Sequence, residues 1–248
     1  MAPIAGQTVL IIGGSSGMGF AVAKLALAEK ANVIIASSSQ DKVDGAVKRL
    51  KSDSPSGNVS GYTVDLAGED VEAQLENLFT QATKNGSLDH VVYTAGKGQS
   101  PPLADVDLAT AISVAQLPIF VPIFLGKIAP KFLSKGHTSS ITFTSGAVAE
   151  KPVPGYSVLS SFVAGLNTFA KCLAVDLAPL RVNVVAPGAT ETEMWGPYAD
   201  FMRDMSSKNS LLGKPAKPED VAEAFVYLLK NVDATGSIVS TNGGAPLK

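Results

Sequence analysis

Gly13-Gly14-Ser15-Ser16-Gly17-Met18-Gly19 follows the β-branched run Val9 to Ile12 and opens an alanine-rich stretch of helical pattern. Closely spaced glycines let a backbone turn tightly and approach an anion, and the free N–H groups at a helix start add partial positive charge. The chemistry such a turn serves is phosphate or diphosphate binding; its plain alternative is an ordinary glycine turn. Other reactive side chains are few. Cys172 is the single cysteine, which excludes an intramolecular disulfide and a cysteine-cluster metal site, and with only His90 and His137 as further soft ligands no metal is expected. Both histidines fall at predicted strand starts, away from the carboxyl ends where open parallel sheets bind ligands, and are read as structural.

The elements that must hold this turn follow from hydrophobic periodicity. Seven short apolar runs predict strands at Val9 to Ile12, Val33 to Ala36, Val59 to Val64, His90 to Tyr93, Ser140 to Thr144, Val182 to Val185 and Ser237 to Ser240. Helical periods cover Phe20 to Glu29, Lys42 to Leu50, Val71 to Lys84, Phe162 to Leu177 and Pro218 to Lys230. Strands alternating with helices predict an α/β, doubly wound Rossmann-type fold: a seven-stranded parallel sheet flanked by helices, forming a single domain over residues 1–248. Runs such as Val9-Leu10-Ile11-Ile12 suit burial on both faces. Glu193 to about Lys217 breaks the pattern and is the candidate substrate lid.

Composition bounds the partners. With 248 residues, 46% apolar and 17% charged, the chain is long enough to bury a sizeable core. Its 20 basic and 22 acidic residues give no electrostatic footprint for nucleic acid or an anionic membrane surface. The longest apolar run, Val114 to Leu125, is interrupted by Gln116, Pro118 and Pro122 and falls short of the roughly 20 residues a spanning helix needs, so no bilayer crossing is expected. A cytoplasmic location is the expectation.

The glycine spacing G-x-x-x-G-x-G, with Ile12 before it, resembles the T-G-x-x-x-G-x-G fingerprint of the short-chain dehydrogenase/reductase family. The likeness extends over nearly the whole chain. Asp65-Leu66 resembles the family's adenine-contacting acidic segment after the third strand. Tyr93-Thr94-Ala95-Gly96 stands where the family has N-N-A-G, keeping only the small pair beside the ribose. Arg181 to Gly188 with Thr192 matches R-V-N-x-x-x-P-G-x-x-x-T, the segment bordering nicotinamide, and Asn242-Gly243-Gly244 resembles D-G-G. The resemblance therefore implies a nicotinamide dinucleotide held by Gly13, Ser15, Ser16, Gly17, Met18, Gly19, Ser37, Ser38, Asp65, Leu66, Ala95, Gly96, Pro187, Gly188 and Thr192. At the end of the second strand an acidic residue would hold both ribose hydroxyls of NAD and repel a 2'-phosphate. Ser37-Ser38-Ser39 carries no carboxylate, and with Lys42 offers phosphate ligands, so NADP(H) is the expected coenzyme. Simple strand-to-loop chemistry is the alternative for the three serines.

The same resemblance implies carbonyl reduction by an Asn, Ser, Tyr, Lys group. Ser145, ending Thr142-Phe143-Thr144-Ser145, matches the serine that orients the substrate oxygen, and Tyr156 matches the proton-donating tyrosine. Ser160 stands where Y-x-x-x-K requires lysine, and Gln116 replaces the asparagine of the water relay. Without a neighbouring ammonium a phenol of pKa about 10 stays protonated near neutral pH. That is the acid form reduction uses, so loss of the lysine handicaps alcohol oxidation more. Lys97 offers a substitute cation or is a solvated loop lysine. Glu191 and Glu193, flanking Thr192, offer a base or a hold on a cationic substrate, or are solvent-facing carboxylates.

Substrate preference is assigned to Lys97 to Pro102, Val148 to Tyr156 and Met194 to Leu212. Met194, Trp195, Tyr198, Phe201, Met202 and Met205 would line a bulky apolar site for an aromatic or polycyclic molecule, or pack a lid helix upon itself. Leu108 to Leu133 and Ser157 to Leu177 resemble the family's dimerisation helices, with Ala164, Gly165 and Ala170 permitting close approach. They imply a homodimer or homotetramer, although Pro118, Pro122 and Pro130 should kink the first. Three functions stand: an NADPH-dependent reductase of a carbonyl or imine; a non-redox cyclase or isomerase of a biosynthetic pathway, which Ser160 and Gln116 favour; and a non-catalytic nucleotide-binding protein.

Overall fold

The computed structural model describes residues 3–98 and 100–248. Seven parallel strands form one sheet in the order β3-β2-β1-β4-β5-β6-β7: β1 Thr8–Ile12, β2 Asn32–Ser37, β3 Val59–Thr63, β4 His90–Tyr93, β5 Ser140–Thr144, β6 Arg181–Pro187 and β7 Ile238–Thr241. The predicted strands all appear, within two residues at each end. Helices α1 (Gly17–Ala28), α2 (Gln40–Asp53) and α8 (Pro218–Lys230) cover one face, burying Val9, Ile11, Val33 and Ile35 beneath Val22, Ala46 and Phe225. Helices α3 (Val71–Ala82), α4 (Leu108–Ala115), α5 (Val121–Ile128) and α6 (Ser157–Asp176) serve the other, where Leu10, Val91, Phe143 and Val184 meet Phe79, Leu125 and Leu166. Burial on both faces explains the apolar character of β1, β2 and β4. The strand order reverses between β1 and β4, opening a crevice at their carboxyl ends where such sheets take ligands.

The prolines of 108–131 do not end the helix. A π turn over Gln116–Phe120 joins α4 to α5, with Val121 N–H reaching the Gln116 carbonyl. The helical run Leu108–Lys131 is therefore 24 residues with mean hydropathy 2.0, and α6 has 1.5; both are long and apolar enough to span a bilayer by length and composition alone. This corrects the shorter apolar length counted in the sequence, which treated prolines as breaks. Both runs pack on the sheet through Leu125, Ile128, Leu166 and Leu173 and leave Leu108, Ile112, Ile123 and Val175 exposed. Ala170 faces the core and is buried, so of the three small residues expected on an outer face it is misplaced.

Arg181 and Asn183 sit at the amino end of β6, opposite the crevice. The buried Arg181 guanidinium donates to the carbonyls of His137 (2.6 Å), Leu228 (2.7 Å), Asn231 (2.9 Å) and Leu229 (3.1 Å), gathering the unpaired carbonyls at the end of α8. Burial lowers its pKa from the ordinary arginine value. Asn183 Nδ2 donates to the Ala234 carbonyl at 2.8 Å, and its Oδ1 accepts from Ser237 N–H at 3.1 Å. The R-V-N part of the motif is thus a structural clamp, and only the stretch from Pro187 onward reaches the crevice.

Candidate active site

The glycine turn is shaped by close approach. Gly13 has φ +93°, and a Cβ there would lie 2.7 Å from both the Ala95 nitrogen and Thr94 Oγ1; a Cβ at Gly19 would lie 2.5 Å from the same hydroxyl. Only glycine lets β1, α1 and the Thr94-Ala95 segment meet this closely. Thr94 Oγ1 donates to the Ile12 carbonyl at 3.2 Å, beside the Thr94 N–H at 2.8 Å. Thr94 thereby brings to this junction, from β4, the hydroxyl that Ile12 lacks.

At the end of β2 the Ser37 and Ser15 hydroxyls are 2.8 Å apart, tying the turn to the strand exit, while Ser38 is exposed. Arg49, which sequence reasoning missed, comes from α2 to the same place. Its guanidinium donates to the Ser15 carbonyl at 2.8 Å and lies 4.3 Å from the Phe20 ring centre. A cavity of about 730 Å³ is bordered by Ser15, Ser16, Lys42, Arg49, Gly96 and Lys97. Lys42, Ala46 and Arg49 are spaced one helical turn apart, the only sequence signal that pointed to this basic face. A dinucleotide fits these residues: a glycine cradle that a Cβ would fill, a helix start with no cap of its own, and cations beside the exit of β2.

Asp65 Oδ1 accepts from Ala67 N–H at 3.0 Å and shapes the turn after β3, and Leu66 is buried. Gln116 spans to this turn, its Nε2 donating to the carbonyls of Gly68 (3.0 Å) and Leu66 (3.2 Å). Its amide is thus engaged in tying α4 to the loop after β3.

Ser145 follows β5 at the carboxyl edge, its N–H bonded to the Val185 carbonyl at 2.9 Å. Tyr156 immediately precedes α6, and Ser160 lies one turn further along. The Ser145 and Ser160 hydroxyls are buried and make no hydrogen bond among the described residues. A neutral hydroxyl therefore stands one helical turn beyond Tyr156. The loop before Tyr156 is fixed by Lys151, whose Nζ donates to the Ala245 carbonyl at 2.7 Å. Neither Ser145 nor Tyr156 borders the 730 Å³ cavity.

The two acidic candidates are both engaged. Glu191 receives Arg203 Nη2 at 2.5 Å and Nε at 3.3 Å, and these bonds hold its pKa below the usual carboxylate range. It fastens helix α7 (Ala199–Asn209) and is no free base. Glu193 Oε2 accepts from Gly17 N–H at 2.9 Å. Lys97 is exposed. Trp195 is buried, whereas Met194, Tyr198 and Phe201 are exposed and Met202 and Met205 half-buried. The lid's far end is held by Ser210, whose hydroxyl donates to the Gly243 carbonyl at 3.0 Å. Of the substrate segment Lys97 to Pro102, Gln99 lies outside the described residues.

His90 is buried as a neutral ring: Nε2 donates to Gln7 Oε1 at 2.9 Å, leaving Nδ1 to accept from the Ser140 hydroxyl at 2.8 Å. Burial first, and the Arg181 charge second, lower its pKa to about 3. The structural assignment of His90 stands.

Residues 2–248 match the profile of the SDR-like Rossmann domain. The chain is 45% identical to the short-chain dehydrogenase/reductase ATR9 of Stachybotrys chlorohalonatus, with 100% of both chains aligned. Among solved structures it resembles the MalC reductase/Diels-Alderase from Malbranchea aurantiaca, at TM-score 0.94 and 37% identity, covering 99% of this chain and 97% of that one. A small-chain dehydrogenase solved in complex with NADPH gives TM-score 0.79 at 25% identity, covering 98% of this chain and 100% of that one.

Proposed function

The chain belongs to the short-chain dehydrogenase/reductase family, and from that premise we propose that it is an NADPH-dependent biosynthetic reductase acting on a carbonyl or imine of a bulky, aromatic or polycyclic small molecule. The carrying observation is the cavity beside the glycine turn, which Lys42, Arg49 and Lys97 border together with Asp41 and Glu193, while Ser37, Ser38 and Ser39 at the end of β2 bring no carboxylate of their own. Such a site favours a 2'-phosphate. The coenzyme, when bound, supplies the hydride. The chain's own part falls to two residues. Tyr156 gives the phenolic proton to the substrate oxygen or nitrogen as charge develops there, and the Ser145 hydroxyl donates a hydrogen bond that orients the same atom. The buried Ser145 hydroxyl, unpartnered among the described residues, has a hydrogen to offer. Ser160 supplies no positive charge beside Tyr156. Exposed Tyr198, Phe201 and Met194 on the lid favour an apolar substrate. The exposed apolar residues of α4 to α6 favour a homodimer or homotetramer.

The second reading is a non-redox cyclisation in the same pocket. Ser160 in place of lysine favours it, as does likeness to a protein described as both reductase and Diels-Alderase. Titrating NADPH and then offering aromatic ketones and cyclic imines separates the two. Turnover with loss of reduced-nicotinamide absorbance is expected. Product formed with no hydride loss would replace reduction by cyclisation, and no product from any substrate would leave a nucleotide-binding protein.

A further inference from the structure

We propose that Glu193 is a built-in anion that occupies the coenzyme's diphosphate position in the nucleotide-free protein, so that coenzyme binds only by turning this carboxylate out. The inference rests on the reading of the glycine turn as a phosphate site. Gly17 opens α1, and its N–H is the donor such a turn presents to an anion. Nothing local satisfies it: the Ser16 side chain makes no capping bond, and the first turn of α1 contains no acidic residue. By contrast, α4 is capped in the ordinary way, with Asp107 accepting from Thr110 N–H at 2.7 Å. At α1 the acceptor arrives instead from 176 positions along the chain, as Glu193 Oε2 at 2.9 Å.

Thr192 and Glu193 lie against this turn. A Cβ on Gly17 would lie 3.1 Å from Thr192 Cγ2 and 3.7 Å from Glu193 Oε2, so the start of the lid rests directly on the turn. Glu193 also borders both cavities at this helix start: the 730 Å³ one containing Ser15, Lys42 and Arg49, and a 360 Å³ one containing Thr192 and Gly196. A dinucleotide running from the larger cavity toward Thr192 must pass the carboxylate at that join. Two anions cannot share one N–H at van der Waals distance without strong repulsion. The displacement needs no unfolding, because Glu193 is exposed while its neighbours are fastened on both sides, Glu191 by Arg203 and Trp195 by burial. Rotation of one side chain suffices, and Met194 beside it stays against Gly98.

Calorimetric titration of the full chain with NADPH and, separately, with inorganic pyrophosphate tests this in wild type, Glu193→Gln and Glu193→Ala. Both variants should bind each probe about tenfold tighter than wild type, the scale of an ordinary coupling between competing sites. Glu193→Gln keeps the shape and removes the charge, so tightening by both variants assigns the effect to the charge. Equal or weaker affinity in Glu193→Gln for both probes overturns the inference and leaves the coenzyme reading intact. Tighter pyrophosphate binding with no NADPH uptake by any protein would support the latch and overturn the coenzyme reading. No binding of either probe by any of the three proteins would overturn both.

Discussion

The Tyr93 hydroxyl donates to the Leu117 carbonyl at 2.8 Å, inside the π turn that carries the long helix past its prolines. In that register the partner of Leu117 would be the N–H five residues on, and that residue is Pro122, which has none. A phenol from β4 takes over the bond, and its full burial raises its pKa well above the ordinary tyrosine value. Tyr93→Phe should therefore cost about 1–3 kcal/mol, the penalty of one unsatisfied buried acceptor. Denaturant unfolding measures it, and an unchanged midpoint would mean the carbonyl has another donor.

Arg49 is expected to discriminate between coenzymes. In Arg49→Gln, NADPH affinity should fall about tenfold to a hundredfold, the value of a charge-assisted hydrogen bond, with NADH affinity nearly unchanged. Equal losses for both coenzymes would assign Arg49 to holding the Ser15 carbonyl and the turn alone.

Tyr156→Phe should lower the reduction rate at least about a hundredfold, with NADPH affinity retained. An unchanged rate removes the phenol from the mechanism. The complementary change, Ser160→Lys, puts an ammonium one helical turn from Tyr156 and should raise alcohol oxidation more than reduction. Equal effects in both directions would contradict the assignment of Tyr156 as an acid that works without a neighbouring cation.

His90 sets an acid limit on stability. Its folded pKa of about 3 lies below the ordinary 6.5, so the unfolded chain binds the extra proton first as pH falls. This contribution is complete above about pH 6.5 and is lost on the way toward about pH 3, with a slope of up to about 1.4 kcal/mol per pH unit. His90→Gln should flatten the pH dependence of unfolding in that window, and an identical slope in the variant would refute the linkage.

The inner strands were legible because burial on both faces leaves a plain apolar mark, as in Val9 to Ile12, and the glycine turn because Gly13 and Gly19 stand where no side chain fits. The π turn was not legible: the pattern shows Pro118 and Pro122 but not the phenol that makes them tolerable. Arg49 was hidden for a related reason, and Glu193 was singled out as a base or a hold on a cationic substrate but not as the partner of Gly17. Each is an ordinary surface residue in its own segment and gains meaning only where the fold brings it to Ser15 or Gly17, 34 and 176 positions away. Ser160 could be named from the motif, yet its burial beneath the reacting edge could not.

Along β6 the two ends have separate duties. The fan of carbonyls around Arg181 rivets the sheet's margin at one extremity, and the stretch from Pro187 to Thr192 faces incoming molecules about 20 Å away, by the rise of an extended strand. Selection can rewrite the second without loosening the first. A scaffold divided this way tolerates experiments in chemistry that would unravel one whose fastenings and reactive edge coincide.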